Sequence, residues 1–299
     1  MKDLISIKDL SREEIEVILK ASLKIKTHPP GRILEKYVMA NCFFEPSTRT
    51  RLSFEVAMKQ LGGEVIGFAD HLSTAIQKGE SLYDSIKIIA LYSDMMVIRH
   101  PLEGSARLAA EVTDKPVINA GDGANEHPSQ TLVDLFSIQE SHQTIDGLCI
   151  LCIGDLLYSR VVHSLIYGLK HFDVRLYFVS PPSLSIPKSL SEVLKQAGIP
   201  FSFHHTIKEV IEKADIVYMT RLQKERFPSL ENYHSLKDHC ILNKEILNQA
   251  KEGLKILHPL PRLNEIAREV DETKYAYYFP QAQNGVYVRQ ALLCKLLGK

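Results

Sequence analysis

The sequence has no excess charge of either sign: lysine plus arginine and aspartate plus glutamate each total 36. With no global positive field, the chain has no general attraction for nucleic acid or for an acidic membrane, so any anion it binds must be held by a local cluster of positive groups. Cysteine is scarce. The five present (Cys42, Cys149, Cys152, Cys240, Cys294) form an odd, scattered set that suits a reducing cytoplasm better than a disulfide framework. Cys149 and Cys152 have CxxC spacing, but no second ligand pair accompanies them, and both fall inside the apolar run Leu148 to Ile153. They read as strand residues, and no metal is expected. No uninterrupted apolar stretch could span a bilayer, and residues 1–8 hold no signal-peptide core, so a cytoplasmic protein without a membrane partner is expected. Nucleotide loops are missing too. Gly121-Asp122-Gly123 and Gly154-Asp155 stand at strand ends without extending to GxGxxG, and there is no Walker GK[ST]. No serine or cysteine occupies a strand–elbow–helix setting. Neither a cofactor nor a covalent nucleophile is expected.

What is present is a soluble globular composition, 45% hydrophobic and 24% charged over 299 residues, long enough for two domains. Strand-like and helix-like patterns alternate. Ser11 and Glu14 form a capping box ahead of Ile15, Ile18 and Leu19. The run Tyr37 to Phe44 precedes a helical pattern with Phe54, Ala57, Met58 and Leu61 on one face, stopped by Gly62 and Gly63. Further strands are expected at Met95 to Ile98, Val117 to Asn119, Leu148 to Ile153, Val174 to Val179, Ile216 to Met219 and Leu254 to Leu257. Helices are expected at Ser129 to Gln139 and around Val162, Leu165, Ile166 and Leu169. The stretch Ser180 to Pro187 reads as a surface connection. This rhythm predicts an α/β protein of parallel sheets flanked by helices.

The polar residues fall where such sheets bind ligands. Ser47-Thr48-Arg49-Thr50 follows one strand and opens the next helix, where unpaired N–H groups and the helix dipole favour an anion. Ordinary capping would account for one hydroxyl, not for the quartet with Arg51 behind it. Arg99-His100-Pro101, Asn119 to Gly123 with His127-Pro128-Ser129-Gln130, Arg160, Thr220-Arg221-Leu222-Gln223, and His258 to Arg262 each follow another strand. These six segments are expected to converge on one carboxyl edge. Lys78 in the loop Thr74 to Glu80 would, taken alone, be an ordinary exposed lysine.

The segment Phe44 to Arg51 resembles the carbamoyl-phosphate signature of the transcarbamoylase family. Asn119 to Gly123 with His127 to Gln130, Thr220 to Arg226, and His258 to Arg262 resemble its aspartate branch, and the likeness runs from about residue 40 to 290. The ornithine branch shares the STRTR segment, but carries cysteine where this chain has Pro259 and a Ser-Met-Gly loop absent here. The resemblance implies transfer of a carbamoyl group from carbamoyl phosphate to L-aspartate, an early step of pyrimidine synthesis. The rival readings are another amine acceptor, such as ornithine, or an inactive scaffold. A scaffold would be expected to lose Arg49, Arg99, His127 or Lys78, and all four are present.

Carried over residue by residue, the resemblance assigns carbamoyl phosphate to Ser47, Thr48, Arg49, Thr50, Arg99, His127 and Gln130, with backbone groups of Pro259 and Leu260. It assigns aspartate to Arg160, Arg221 and Gln223 with Lys78, and has Thr74 and Lys78 reach in from a neighbouring subunit. The catalytic set is Arg49, Thr50, Lys78, Arg99 and His127. A homotrimer is implied, and the resemblance leaves a regulatory chain or a dihydroorotase open as further partners. The active site is expected between two domains, 1–128 for carbamoyl phosphate and 129–283 for aspartate, with the terminal helix (284–299) packing back on the first. Thr74 stands where the family usually has serine, Val161 where it often has threonine, and Leu157 where some bacterial members carry lysine. The last of these puts allosteric control in question.

Overall fold

The computed structural model describes residues 1–70, 75–222 and 240–299. The chain divides into two compact units, residues 1–136 with 282–299, and residues 137–281.

The first unit is built on four parallel strands, β1 (Val38–Phe43), β2 (Glu64–Phe68), β3 (Met95–His100) and β4 (Val117–Asp122), in the order β2-β1-β3-β4. Its helices are α1 (Arg12–Thr27), α2 (Thr48–Gln60), α3 (Leu82–Leu91), α4 (Ser105–Val112) and the first part of α5 (Pro128–His142). The capping box of Ser11 and Glu14 opens α1, whose Ile15, Ile18, Leu19 and Ile25 are buried at helical spacing. β3 and β4 are apolar runs because both faces are covered. Ala40, Cys42, Met96 and Ile98 pack with Ile86 of α3 and with Ala106 and Ala109 of α4. Phe54, Ala57 and Met58 are the buried stripe of α2, and burying each large apolar side chain contributes roughly 1.5–3 kcal/mol. This holds the start of α2 against the end of β1.

The second unit has five parallel strands, β5 (Cys149–Ile153), β6 (Arg175–Val179), β7 (Phe201–His204), β8 (Ile216–Met219) and β9 (Lys255–Leu257), in the order β7-β6-β5-β8-β9. Helices α6 (Arg160–Leu169), α7 (Lys188–Gln196), α8 (Lys244–Leu247) and the start of α9 (Tyr278–Leu296) accompany them. One core cluster joins Leu151, Ile153, Val217, Met219 and Ile256 to Tyr278. Cys149 and Cys152, three residues apart in β5, point to opposite faces of the sheet.

Several details depart from expectation. Strands β2 and β7 did not stand out in the sequence: both are edge strands whose residues are mostly half-buried or exposed, so neither carries an unbroken apolar run. Arg99, His100 and Asn119 to Asp122 belong to their strands and do not follow them. The stretch 180–187 is not wholly a surface connection, because Leu184 and Ile186 are buried and Pro182–Leu184 form a 3-10 turn. The terminal helix starts at Tyr278, and the division between units falls inside α5 and α9, later than residue 128 at the first crossing.

Candidate active site

The six polar segments gather on two carboxyl edges, one per sheet, and not on one. Each edge contains a reversal of strand order. In the first sheet the chain runs from β1 outward to β2 and then back across to β3 and β4. In the second it runs from β5 to β6 and β7, then across to β8 and β9. The loops that leave β1 and β3, and those that leave β5 and β8, therefore diverge, and the crevice between such loops is where open α/β sheets bind ligands.

At the first reversal, Phe43 of β1 is level with Arg99 of β3, and the Phe44 N–H donates to the Arg99 carbonyl at 2.8 Å. Ser47 is the N-cap residue of α2, yet its side chain makes no capping bond, and no acidic residue occupies the first turn. Capping is thus not what this serine does. Thr50 is buried, whereas Thr48 and Arg49 are exposed. No ion pair holds Arg49 among the described residues; partial desolvation lowers its pKa, from a value so high that it stays charged near neutrality. Arg99 is largely buried, donates through Nη1 to the Ala120 carbonyl at 3.2 Å, and pairs with Glu45 in the loop before α2. This ties the ends of β1, β3 and β4 together.

The loop after β4 is held by its own polar residues. Asn119 donates to Asp122 Oδ1 at 2.9 Å, and Asp122 Oδ2 accepts from Gly104 N at 2.9 Å and Asn125 Nδ2 at 3.0 Å. Glu126 accepts from Ser6 Oγ at 2.7 Å and from Ile7 N at 2.9 Å. Asn119 and Asp122 are scaffolding that delivers His127 to the start of α5. The His127 carbonyl accepts from Gln130 N at 3.0 Å, its ring lies 3.4 Å from Ser129 Oγ, and Gln130 Nε2 donates to Asp134 at 2.7 Å.

At the second reversal, Ile153 of β5 is level with Met219 of β8. Thr220 donates through Oγ1 to the Ile153 carbonyl at 3.1 Å and to the Asp155 carbonyl at 3.3 Å. Gly154 is required here: its φ is +114°, and a Cβ would stand 2.2 Å from the Thr220 carbonyl oxygen. Arg160 is the first residue of α6, whose N-cap Ser159 makes no side-chain capping bond. Arg221, half-buried, follows β8. Beyond β9, His258 is pinned. Its Nδ1 accepts from Leu260 N at 2.8 Å and its Nε2 meets Glu265 at 2.8 Å. Leu260 takes a φ of 54°, in the left-handed region, and follows Pro259 in the same loop. Burial pushes the Glu265 carboxyl upward, but the hydrogen bond from His258 Nε2 and those from two backbone N–H groups outweigh it, so its pKa is lowered.

Lys78 ends a 3-10 turn (Ala75–Lys78), is exposed, and makes no ion pair among the described residues. Thr74 and Gln223, both expected at the site, lie outside the described residues. The sequence reading missed Glu45, Asp134 and Glu265, each of which holds a site side chain. For Asp134 the signal was available, since it lies one helical turn from Gln130.

Each unit is a parallel α/β sheet whose strand-order reversal is flanked by cationic side chains, a construction suited to holding an anion. Residues 2–140 match the family model of the aspartate/ornithine carbamoyltransferase carbamoyl-P binding domain, and residues 146–296 match that of the Asp/Orn binding domain. The aspartate carbamoyltransferase catalytic subunit of Chromobacterium violaceum is 51% identical over 298 residues, covering 100% of this chain and 98% of its own. That of Vibrio campbellii is also 51% identical, covering 100% and 97%. Among solved structures, the catalytic subunit of M. jannaschii aspartate transcarbamoylase superposes with a TM-score of 0.94 at 47% identity, covering 100% of this chain and 98% of that one. Trypanosoma cruzi aspartate transcarbamoylase in complex with N-(phosphonacetyl)-L-aspartic acid superposes at 0.90 with 35% identity, covering 98% and 94%. The chain belongs to the aspartate/ornithine carbamoyltransferase family. The relatives named here are all aspartate carbamoyltransferases.

Proposed function

We propose that the chain transfers the carbamoyl group of carbamoyl phosphate to the amino group of L-aspartate, giving N-carbamoyl-L-aspartate and phosphate, a reaction of pyrimidine biosynthesis. The observation that carries the phosphate half is the start of α2. Ser47 makes no capping bond there, and Arg49 carries a charge that no described acidic group neutralises. The acceptor half follows from charge. Two arginines, Arg160 and Arg221, flank the second reversal. They suit a dicarboxylate and would repel the cationic side chain of ornithine.

Ser47, Thr48, Arg49 and Thr50 hold the phosphate of carbamoyl phosphate, Arg99 bridges phosphate and carbonyl oxygen, His127 donates to that oxygen, and Gln130 with the backbone of Pro259 and Leu260 takes the carbamoyl amide. Arg160, Arg221 and Gln223 clamp aspartate, with Lys78. Both substrates are anions that repel one another in water; fixing them in attacking geometry is worth roughly 7–11 kcal/mol. The neutral α-amine attacks the carbamoyl carbon, and the resulting oxyanion is met by Thr50, Arg99 and His127, at about 3 kcal/mol per donor. Collapse breaks the C–O bond to phosphate, which leaves with the electron pair and accepts the amine proton. Carbamoyl phosphate is already an activated acyl donor, so the sequence of steps calls on no cofactor or metal.

Lys78, with Thr74, serves the site of a neighbouring subunit in a homotrimer. The exposed apolar residues Leu52 and Val56 of α2, Ile66 of β2 and Tyr83, Ile88 and Leu91 of α3 support an assembly surface on the first unit. A cytoplasmic setting fits the free cysteines, and among the described residues no helix is long and apolar enough to cross a membrane.

The test is an acceptor panel of aspartate, ornithine and putrescine, with Arg221→Ala alongside. Only aspartate should be carbamoylated. Arg221→Ala should raise the aspartate KM about 30-fold or more, the cost of losing one partner of a charge-assisted pair, while calorimetry shows unchanged carbamoyl phosphate affinity. Equal loss for both substrates would refute the division of labour, and carbamoylation of ornithine would refute the acceptor.

A further inference from the structure

The interior of the first unit holds two opposite charges that the chemistry above does not use. Asp134 of α5 is fully buried, and Arg289 of α9 is 4% exposed. The Arg289 guanidinium lies 4.9 Å from the centroid of Phe54 in α2. It packs so tightly on Gly285, one helical turn earlier, that a Cβ there would stand 2.3 Å from its Nη1. Its Nε has no hydrogen-bond partner among the described residues. Desolvation lowers its pKa to about 10, and the charge of Asp134 opposes that shift, so the guanidinium is charged at neutral pH. A cation withdrawn this far from water is costly without a counter-charge; Asp134 is the charge that acts on it, and its chain neighbour Val133 lies beside Gly285, against which the same guanidinium packs. The dependence is mutual: burial pushes a carboxyl toward its neutral form, and a nearby cation returns it to the charged one.

Asp134 in turn decides how Gln130 presents itself. Gln130 Nε2 donates to Asp134 Oδ1 at 2.7 Å, one helical turn away. An ionised carboxylate only accepts hydrogen bonds, so it takes the NH₂ end of the amide and leaves the carbonyl oxygen as the end turned away. That oxygen is the acceptor a carbamoyl NH₂ group needs. A neutral carboxyl, or an asparagine, could satisfy either end and would let the amide flip.

We infer that Asp134 and Arg289 are positioning residues that fix the orientation of the Gln130 amide, so that the site selects an acyl phosphate bearing an amide N–H over one that lacks it. The inference rests on the reading of Gln130 as the group that meets the carbamoyl amide. Acetyl phosphate, with a methyl in place of the NH₂, is the probe that isolates this contact.

The experiment measures calorimetric affinities of the whole enzyme for carbamoyl phosphate, acetyl phosphate and inorganic phosphate, with thermal unfolding as the check on folding. Wild type should prefer carbamoyl over acetyl phosphate. Gln130→Ala should lose that preference by about tenfold, the size of one hydrogen bond. Asp134→Asn and Arg289→Met should lose it to a similar extent while binding acetyl phosphate and phosphate as wild type does, and Arg289→Lys, which keeps the charge, should retain most of it. Asp134→Ser provides a second variant without the carboxylate in case Asp134→Asn or Arg289→Met fails to fold. Equal weakening of all three ligands would mean a purely structural role and overturn the inference. A preserved preference in folded Asp134→Asn or Asp134→Ser, with Gln130→Ala having lost it, would overturn the inference alone. A preserved preference in Gln130→Ala would overturn the Gln130 assignment as well.

Discussion

Arg49 shows how much a single residue can say. It sits in the first turn of α2, a place that rewards negative groups, and no acidic side chain occupies that turn. A second positive charge there is costly to the empty helix and useful only to a bound anion. Arg49→Ala should therefore leave the thermal midpoint unchanged or slightly raised while lowering kcat/KM by roughly a hundredfold or more, as expected for loss of a donor to transition-state charge. Steady-state kinetics and a melting curve on one preparation decide it, and near-normal turnover in the folded variant would remove Arg49 from the phosphate site. Most of the residues that meet substrate in this reading stood out in the sequence as polar groups at or just beyond the end of an apolar strand; Lys78, in a 3-10 turn, did not, and only the family resemblance singled it out. Their supports were not. Glu45, Asp134 and Glu265 are ordinary acidic residues until the fold brings them to Arg99, Gln130 and His258.

At the scale of elements, the well-buried strands were legible, the edge strands β4 and β9 among them, and the half-exposed edge strands β2 and β7 were not, for one physical reason. β5 and β8 are covered on both faces and read as apolar runs, whereas β2 and β7 have one neighbour each and a partly wet face. Strand order is invisible to a local pattern, so the sequence suggested one converging edge where the fold makes two. The loop after β9 behaves as an element in its own right, with the His258 ring clamped between Leu260 N and Glu265. Removing the carboxylate in Glu265→Ala should cost about 1.5–3 kcal/mol, the value of a hydrogen bond to a charged group. The pH dependence has a definite sign. The folded Glu265 carboxyl is held below its ordinary 4.5, so its contribution is complete above that value and is lost as pH falls through the lower folded one. Urea unfolding of both proteins should show a constant gap from neutrality down to about pH 5 that narrows under more acid conditions. A gap that widens on acidification would mean that Glu265 is not the ionised partner.

At the scale of the whole molecule, what the chain holds unused points outward. Lys78 is exposed and unpaired among the described residues, and it leads into α3, whose Tyr83, Ile88 and Leu91 are exposed apolar side chains. In the proposed homotrimer that lysine, beside an exposed apolar surface, is delivered to another copy. In a closed cyclic trimer each site would then combine Lys78 of one chain with Arg99 of the next. Lys78→Gln and Arg99→Ala should each be nearly inactive alone. When the two variants are dissociated together and reassembled, every mixed trimer contains one interface at which both residues are native. Random equal mixing makes about three-quarters of trimers mixed, each with one native site in three, so roughly a quarter of wild-type activity should return. Native mass spectrometry counts the mixed trimers directly, and activity should rise in proportion to them. If mixed trimers form and activity stays at the level of the parents, Lys78 does not serve a neighbouring site; if the chains never assemble beyond monomers, the shared site itself is wrong.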